Sequence, residues 1–185
     1  MQTIPHDQNS LNQTSPNQNS PIIVMGVSGC GKTAIGTRLA NKLGLEFIDT
    51  DKFHPPANII KMQSGIPLTD EDRWPWLSLI AQAVRSRDAK APPVVVACSA
   101  LKEVYREFLR TQIGAPLRFI HLHGTKQLIT KRLKSRSKHF MPSKLLDSQF
   151  ATLESPGANE NVTPINIDKS IDDILNEALA VLKRT

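Results

Sequence analysis

The chain contains little of what several functional classes require. Aromatic residues make up only 5% of its 185 residues, and no basic stretch is interleaved with aromatic ones, which argues against a stacking platform for single-stranded nucleic acid. No apolar run approaches the length of a membrane span. The two cysteines, Cys30 and Cys98, cannot form a disulfide framework, so we expect free thiols in a reducing compartment.

The first 20 residues contain no lysine or arginine, and eight of them are asparagine or glutamine. A secretory signal needs a charged start and an apolar core, and a transit peptide needs arginines. Because so polar a segment buries little apolar surface, we predict a disordered tail over residues 1–20. Without a targeting signal, the expected location is the cytoplasm.

Residues 21–185 have the composition of one domain with a substantial core, since 39% of the chain is hydrophobic. The net charge of +6 favours an anionic small molecule as the ligand. The same charge would suit weak contact with nucleic acid, but we predict neither a nucleic-acid partner nor a membrane partner.

Apolar strand candidates alternate with helical segments along the chain. This alternation predicts an α/β fold with three α/β/α layers, in which helices cover both faces of a five-stranded parallel sheet. The predicted strands are Ile22–Met25, Glu46–Asp49, Val94–Ala97, Leu117–Leu122 and Pro164–Ile167. The predicted helices are Lys32–Lys42, Trp74–Asp88, Leu101–Thr111, Thr125–Arg136, Leu145–Leu153 and Ile171–Lys183. Because ligands of such folds gather at the carboxyl ends of the strands, functional residues should directly follow them.

A complete phosphate-binding motif, G-x-x-x-x-G-K-[ST], lies between the first predicted strand and the first predicted helix. Its residues are Gly26, Val27, Ser28, Gly29, Cys30, Gly31, Lys32 and Thr33. Glycines let the backbone curl around an anion, and the helix N-terminus adds partial positive charge. Lys32 can reach the β- and γ-phosphates of a nucleotide, and the Thr33 hydroxyl can ligate Mg²⁺. A plain glycine-rich turn would not need the Lys-Thr pair.

A dinucleotide-binding fingerprint is the closest alternative interpretation of these glycines. Gly29-x-Gly31-x-x-Ala34 imitates that fingerprint, and acidic residues follow about twenty positions later. The first glycine of the fingerprint should directly follow the strand, whereas here the strand ends at Gly26. The spacing therefore favours a nucleotide phosphate loop.

Two acidic residues lie at the end of the second predicted strand. Asp49 is its last residue, and Asp51 follows two positions later. An isolated D-x-D is more often a solvated turn. Beside a phosphate loop, however, Mg²⁺ and the γ-phosphate need carboxylates nearby. One carboxylate can then serve the metal through water while the other faces an acceptor hydroxyl.

Taken together, the motifs of residues 21–185 closely resemble those of the gluconate kinases, or gluconokinases. These are small P-loop sugar-acid kinases related in architecture to shikimate and nucleoside monophosphate kinases. The phosphate loop alone indicates only a nucleotide, but its combination with the other motifs is highly specific. The motifs are G-V-S-G-C-G-K-T at 26–33, D-x-D-x-x-H-P at 49–55, K-M-Q-S-G-I-P-L-T-D-E-D-R at 61–73, P-W-L at 75–77, C-S-A-L-K-x-x-Y-R at 98–106, R-L-K-S-R-x-x-H-F at 132–140 and S-Q-F-A-T-L-E-S-P-G at 148–157.

The resemblance implies a nucleoside-monophosphate-kinase-like P-loop fold with an acceptor-binding insertion at about 54–77 and a lid at about 136–148. It implies transfer of the γ-phosphoryl group of ATP, with Mg²⁺, to the 6-hydroxyl of D-gluconate. Two positions depart from the usual pattern, since family members usually carry Ser at Cys30 and often Gly at Lys138. A homodimer is one arrangement that is compatible with the resemblance.

The same resemblance assigns roles to individual residues. For each of them, the alternative interpretation is a solvated surface charge or a packed side chain. Guanidinium groups match planar carboxylates, which makes arginines candidates for holding gluconate. The catalytic candidates are Lys32, Asp51 and Arg136, and the metal candidates are Thr33 and Asp49. Beyond the phosphate loop, the nucleotide-binding candidates are Arg132 and Asp168. The substrate-binding candidates are Asp51, His54, Arg73, Lys102 and Arg106. Gln149 and Glu154 are candidates for latching the lid.

Two other functions stay open. The nearer one is a kinase for another small acceptor, such as shikimate or a nucleoside monophosphate. The other is a nucleotide-dependent switch or binding module without small-molecule turnover, which the compact insertion at 54–77 disfavours.

Overall fold

The computed structural model describes residues 16–88, 90–134 and 143–183. Strands and helices alternate along this part of the chain. The strands are β1 (Ile22–Met25), β2 (Glu46–Asp49), β3 (Val94–Ala97), β4 (Arg118–His123) and β5 (Val162–Asn166). The helices are α1 (Lys32–Leu43), α2 (Pro56–Gln63), α3 (Asp70–Arg85), α4 (Glu103–Ile113), α5 (Lys126–Lys134), α6 (Ser143–Thr152) and α7 (Ile171–Lys183). Two short 3-10 helices, Thr50–Phe53 and Ala158–Glu160, complete the set.

The five strands form one parallel sheet in the order β2-β3-β1-β4-β5. The central strands β1 and β3 are buried along their whole length, as expected for a parallel sheet with both faces covered. The predicted α/β fold with a five-stranded parallel sheet is therefore confirmed. Because the strands run in one direction, the segments that follow them meet at one edge of the sheet.

The core divides into two layers, one on each face of the sheet. Side chains alternate along β1, so that Ile22 and Val24 belong to one apolar cluster and Ile23 and Met25 to the other. The first cluster contains residues of α1 and α7, and the second contains residues of α3 and α4. Helices thus cover both faces of the sheet.

The region after β2 differs from the sequence-based expectation. Helix α2 was not predicted, because it is only eight residues long and exposes apolar side chains such as Ile60. Helix α3 begins at Asp70 rather than at Trp74. A capping box explains the earlier start, since the Thr69 side chain accepts from the Asp72 amide while the Asp72 carboxylate accepts from the Thr69 amide.

The last residues of the predicted tail form a hydrogen-bonded turn. Asn17 and Ser20 close a turn, in which the Asn17 amide donates to the Ser20 hydroxyl at 2.9 Å, and Ser20 is buried. Most of the predicted tail, residues 1–15, lies outside the described residues. None of the described helices is both long and apolar enough to span a bilayer.

A buried ion pair joins α4 to the segment that follows α6. The Arg106 side chain is fully buried, and its Nε and one terminal nitrogen donate to the two carboxylate oxygens of Glu160 at 2.5 and 2.9 Å. The remaining nitrogen donates to the carbonyls of Ala100, Leu101 and Glu154. These bonds to Arg106 hold the pKa of Glu160 below its usual value.

We predict that Glu160→Gln lowers the free energy of unfolding by roughly 3 kcal/mol, because the Arg106 charge would stay buried without its counter-charge. A carboxylate with a lowered pKa stabilises the fold above its unfolded-state pKa, and this stabilisation is lost as the pH falls through the folded-state pKa. The difference between wild type and variant should therefore shrink on acidification. Urea denaturation at several pH values measures both effects.

Glu107→Gln provides the matched control, because Glu107 also pairs with an arginine of α4 but is exposed. Its effect should stay below about 1 kcal/mol. Equal losses in the two variants would show that the buried pair has no special role.

Candidate active site

The segment between β1 and α1 forms a compact loop whose shape requires glycine. Gly29 and Gly31 have φ values of +83° and +107°, which lie in the left-handed region. A Cβ added to Gly26 would lie 2.5 Å from the carbonyl oxygen of Leu122, so any side chain there would collide with backbone. Gly31 directly precedes α1, which brings the loop to a helix N-terminus. Backbone amides at such a terminus suit a phosphate group.

Lys32 and Thr33 lie on the first turn of α1. The Lys32 ammonium donates to the carbonyls of Gly26 and Val27 at 3.0 and 3.1 Å. These bonds hold the positive charge against the start of the loop. The Thr33 hydroxyl donates to a carboxylate oxygen of Asp49 at 3.4 Å. The fold thus brings together the two residues that the sequence assigns to a metal.

This pair fits Mg²⁺ by the chemistry of its oxygen donors, a hydroxyl and a carboxylate. Within the described ranges, no group of three or more His, Cys, Asp or Glu side chains could hold a metal ion. A Mg²⁺ ion at Thr33 and Asp49 would therefore depend on substrate phosphates and water for its other ligands, as is common for this ion.

Thr50, which the sequence did not single out, fixes the two acidic residues on either side of it. It is fully buried, and its hydroxyl donates to the Ala97 carbonyl at 2.7 Å. Its own carbonyl accepts a hydrogen bond of 2.8 Å from the Trp76 indole. The Asp51 amide donates to the Asp49 carboxylate at 3.2 Å, and Asp51 itself is exposed. The turn after β2 is thus attached to both β3 and α3.

His54 lies beside this turn and stacks on Trp76, with ring centroids 4.4 Å apart and planes 11° from parallel. Burial lowers the pKa of His54, the Asp51 charge opposes that shift, and the Arg73 charge adds to it. The imidazole is therefore neutral at physiological pH, and it lies within electrostatic reach of two of the predicted acceptor-binding residues.

Arg73 and Lys102 end in the same region but have different surroundings. Arg73 is largely buried, donates to the Leu68 carbonyl at 2.8 Å and lies 5.8 Å from the centre of the Tyr105 ring. The Lys102 ammonium contacts both carboxylate oxygens of Asp70, at 2.7 and 2.8 Å, and the Tyr105 hydroxyl donates to the same carboxylate at 2.5 Å. These two donors lower the pKa of Asp70.

Asp70 and Tyr105 are therefore members of this cluster that the sequence analysis missed. Asp70 lies three positions before Arg73 in the D-E-D-R segment, and Tyr105 lies one position before Arg106. The Asp70–Lys102 contact spans 32 positions of sequence, so no local pattern indicates it.

Arg106, another predicted substrate-binding residue, has different surroundings from Arg73 and Lys102. Its guanidinium is fully buried and makes its hydrogen bonds to Glu160 and to three backbone carbonyls. This geometry favours a structural role, in which Arg106 holds Ala100 and Leu101 at the end of β3. Ala100 has a φ of +40°, which is unusual for a residue with a side chain and needs such support.

The predicted nucleotide side lies around α5. A Cβ on Gly29 would lie 2.7 Å from Leu133, so α5 packs directly on the phosphate loop. Arg132 donates to the Ile167 carbonyl at 2.5 Å, next to Asp168, whose amide donates to the Asn166 side chain. The structure thus places Arg132 and Asp168 close together. Arg136 and most of the predicted lid, 136–142, lie outside the described residues.

Comparison with known proteins identifies relatives over most of the chain. The family model described as shikimate kinase matches residues 28–160. A gluconokinase from Gluconobacter oxydans is 46% identical over 158 residues, which cover 85% of this chain and 88% of that protein. A probable gluconokinase from Xenopus tropicalis is 44% identical over 170 residues, which cover 84% of this chain and 90% of that protein.

A solved structure also resembles this chain over most of its length. The crystal structure of a gluconokinase from Sinorhizobium meliloti superposes with a TM-score of 0.83 at 45% sequence identity. The match covers 91% of this chain and 94% of the other. The likeness therefore extends to the β2–α3 region and is not limited to the phosphate loop.

We predict that Thr50→Val, which keeps the shape but removes the buried hydroxyl, lowers the free energy of unfolding by about 1–2 kcal/mol. For a domain of this size, the melting temperature should fall by about 2–8 °C. Thermal unfolding followed by circular dichroism measures this change. Thr111→Val is the control, because the Thr111 hydroxyl is exposed and its bond to Glu107 is weak, at 3.4 Å. A Thr50→Val protein as stable as the control would contradict the anchoring role.

Proposed function

The chain belongs to the gluconokinase family, and from this membership we propose that it transfers the γ-phosphoryl group of ATP to the 6-hydroxyl of D-gluconate, giving 6-phospho-D-gluconate. One observation carries the proposal. The Thr33 hydroxyl lies 3.4 Å from Asp49 at the phosphate loop. Asp51, two residues further on, and Arg73 both lie within electrostatic reach of His54. The phosphate loop and the residues that we propose for acceptor binding therefore share one edge of the sheet.

On the nucleotide side, the loop amides from Gly29 to Thr33 receive the phosphates of ATP, and Lys32 places a positive charge on their β- and γ-groups. Arg132 holds further phosphate charge or stacks on the base, and Asp168 borders the adenine. Thr33 and Asp49 would hold Mg²⁺, which would neutralise phosphate charge when bound. Arg136 stays a prediction for neutralising charge on the transferring group.

On the acceptor side, Asp51 is an exposed carboxylate with no side-chain cation bonded to it in the described structure. It is therefore suited to orient the 6-hydroxyl of gluconate and to accept its proton. Neutral His54 offers a hydrogen bond to another hydroxyl. Arg73 and Lys102 bring positive charge to the gluconate carboxylate, although Lys102 must share that charge with Asp70.

The proposed mechanism depends on position and charge more than on covalent chemistry by the protein. Phosphoryl transfer needs the acceptor oxygen in line with the γ-phosphate, and it needs cations where charge accumulates. The chain supplies the alignment through Asp51, which the buried Thr50 fixes at the end of β2, and it supplies the charge through Lys32. The predicted lid at 136–148 would exclude water from this step.

A second acceptor has to be tested because the matching family model is described as shikimate kinase. We propose gluconate over shikimate because the relatives with 44–46% identity over most of the chain are called gluconokinases. A coupled assay with ATP–Mg²⁺ and a panel of gluconate, shikimate and nucleoside monophosphates decides the question. Turnover of gluconate alone supports the proposal, and preference for another acceptor rejects it. The cytoplasmic location and the homodimeric state of the protein stay predictions.

We predict that Lys32→Ala lowers turnover by roughly 10²–10⁴-fold, because the variant loses a preorganised charge that stabilises the transition state. The fold should survive, since the bonds of the Lys32 ammonium within the described residues go to carbonyls of the loop itself. Steady-state kinetics and a melting curve test both expectations. A folded Lys32→Ala protein with near-normal turnover would reject the kinase proposal.

We predict different effects of removing the charge from Asp51 and from Asp49. Asp51→Asn keeps the shape but loses the proton acceptor, so kcat for gluconate should fall by roughly 10²-fold or more. Asp49→Asn should instead raise the Mg²⁺ concentration needed for half-maximal rate, because the Thr33–Asp49 pair would hold the ion less well. Kinetics at varied gluconate and varied Mg²⁺ separate the two results.

Asp172→Asn, an exposed position on α7, is the matched control and should change neither quantity. If Asp51→Asn alters the Mg²⁺ requirement and leaves kcat intact, the two assigned roles are exchanged. If neither variant affects catalysis, the acceptor-site assignment fails.

A further inference from the structure

A glutamine from the far end of the chain contacts the phosphate loop. The backbone amide of Ser28 donates to the side-chain carbonyl of Gln149 at 2.6 Å, across 121 positions of sequence. Ser28 lies in the part of the loop that precedes Gly29, where the cradle of amides begins. The contact is close, since N–H···O hydrogen bonds usually span about 2.7–3.2 Å, and the amide is partly buried.

The helix that carries Gln149, α6, is linked to the start of α4 by hydrogen bonds just after its C-terminus. Just after α6, the Glu154 amide donates to the Leu101 carbonyl at 2.9 Å. The Glu154 carboxylate in turn accepts a hydrogen bond of 2.6 Å from the Glu103 amide, at the N-terminus of α4. Leu146 of α6 is buried in the core. Helix α6 is therefore held in place independently of Gln149.

The hydrogen bond also sets the orientation of the Gln149 carboxamide. A carboxamide has one accepting oxygen and one donating nitrogen, and only the oxygen can pair with an amide N–H. The oxygen therefore points at Ser28 and the nitrogen away from it. Since the group is neutral, it anchors the loop without placing a negative charge beside bound phosphates.

We propose that Gln149 is a positioning residue for phosphoryl transfer. Its carbonyl holds Ser28 to α6, and α6 is held to the Leu101–Glu103 segment beside Lys102, so one helix fixes the distance between the phosphate loop and the acceptor side. The proposal rests on the proposed function for its kinetic consequence, but the contact itself does not.

The test is Gln149→Leu, which keeps the size of the side chain and removes the acceptor. Because the loop would lose its register against the acceptor, we expect kcat to fall by about 10-fold, on the scale of effects from small misplacements of reacting groups. The KM for gluconate should change by less than about twofold, because no gluconate-binding side chain is altered. Gln82→Leu, the same change at an exposed glutamine of α3, should have no effect.

Two readouts do not require turnover. The amide-proton resonance of Ser28 should move upfield in Gln149→Leu and not in Gln82→Leu, since the hydrogen bond is lost. The affinity for a non-hydrolysable ATP analogue with Mg²⁺, measured by calorimetry, should fall or stay the same. Gln149→Asn, which is too short to reach Ser28, should reproduce these results if Gln149→Leu folds poorly.

Each outcome decides the proposal. A lowered kcat with an unchanged melting temperature and a shifted Ser28 resonance supports it. A kcat equal to that of the Gln82→Leu control overturns it, and so does tighter binding of the ATP analogue, which would show that Gln149 competes with the nucleotide for the Ser28 amide. Wild-type protein without gluconate turnover would reject the proposed function, whereas the Ser28 resonance and the ATP-analogue affinity would still test the positioning role.

Discussion

The parallel pairing of β1 with β3 is the constraint on which the site depends. Ile22 pairs with Val95 and Val24 with Ala97, so both strands end at the same edge. There the Gly26 amide donates to the Ser99 carbonyl at 3.3 Å, which attaches the phosphate loop to the segment after β3. Since β2 adds to the other side of β3, the acidic turn after β2 ends at the same edge. A shift of one residue in this pairing would move the loop away from the acceptor residues and reverse the faces of the strands.

Around this edge, charged side chains are used in two ways. Arg106 is removed from water and compensated by Glu160, so it stabilises the backbone after β3, including the strained Ala100, without offering charge to a ligand. Lys102 is only partly buried, and its partner Asp70 is half-exposed, so this pair is open to solvent and to an anionic substrate. A single sequence motif, C-S-A-L-K-x-x-Y-R, thus supplies one basic residue to the framework and another to the proposed acceptor site. Burial decides which residue has which role.

The sequence predicted the sheet and the phosphate loop well, because both follow from local patterns. Buried parallel strands are short apolar runs, and β1, β2 and β3 have the predicted bounds. The part that it missed is polar and non-local. Thr50 occupies the unspecified position of the D-x-D motif, and its importance comes from hydrogen bonds to Ala97 and Trp76, which are distant along the chain. Helix α2 was missed because eight residues with exposed apolar side chains give no clear helical periodicity.

By itself, the sequence determined that this chain has an α/β fold with a phosphate loop, because glycine spacing and the Lys-Thr pair require particular residue types at fixed intervals. The motifs around the loop identified the gluconokinase family by resemblance. Only the tertiary structure decided which charged residues are paired with a buried counter-charge. Arg73 and Arg106 look equivalent in sequence. The packing of α4 against the Ala158–Glu160 segment gives Arg106 a buried carboxylate partner. Arg73, on α3, instead lies within electrostatic reach of His54. Whether a guanidinium is desolvated and paired depends on residues more than fifty positions away, and such contacts have no local signature.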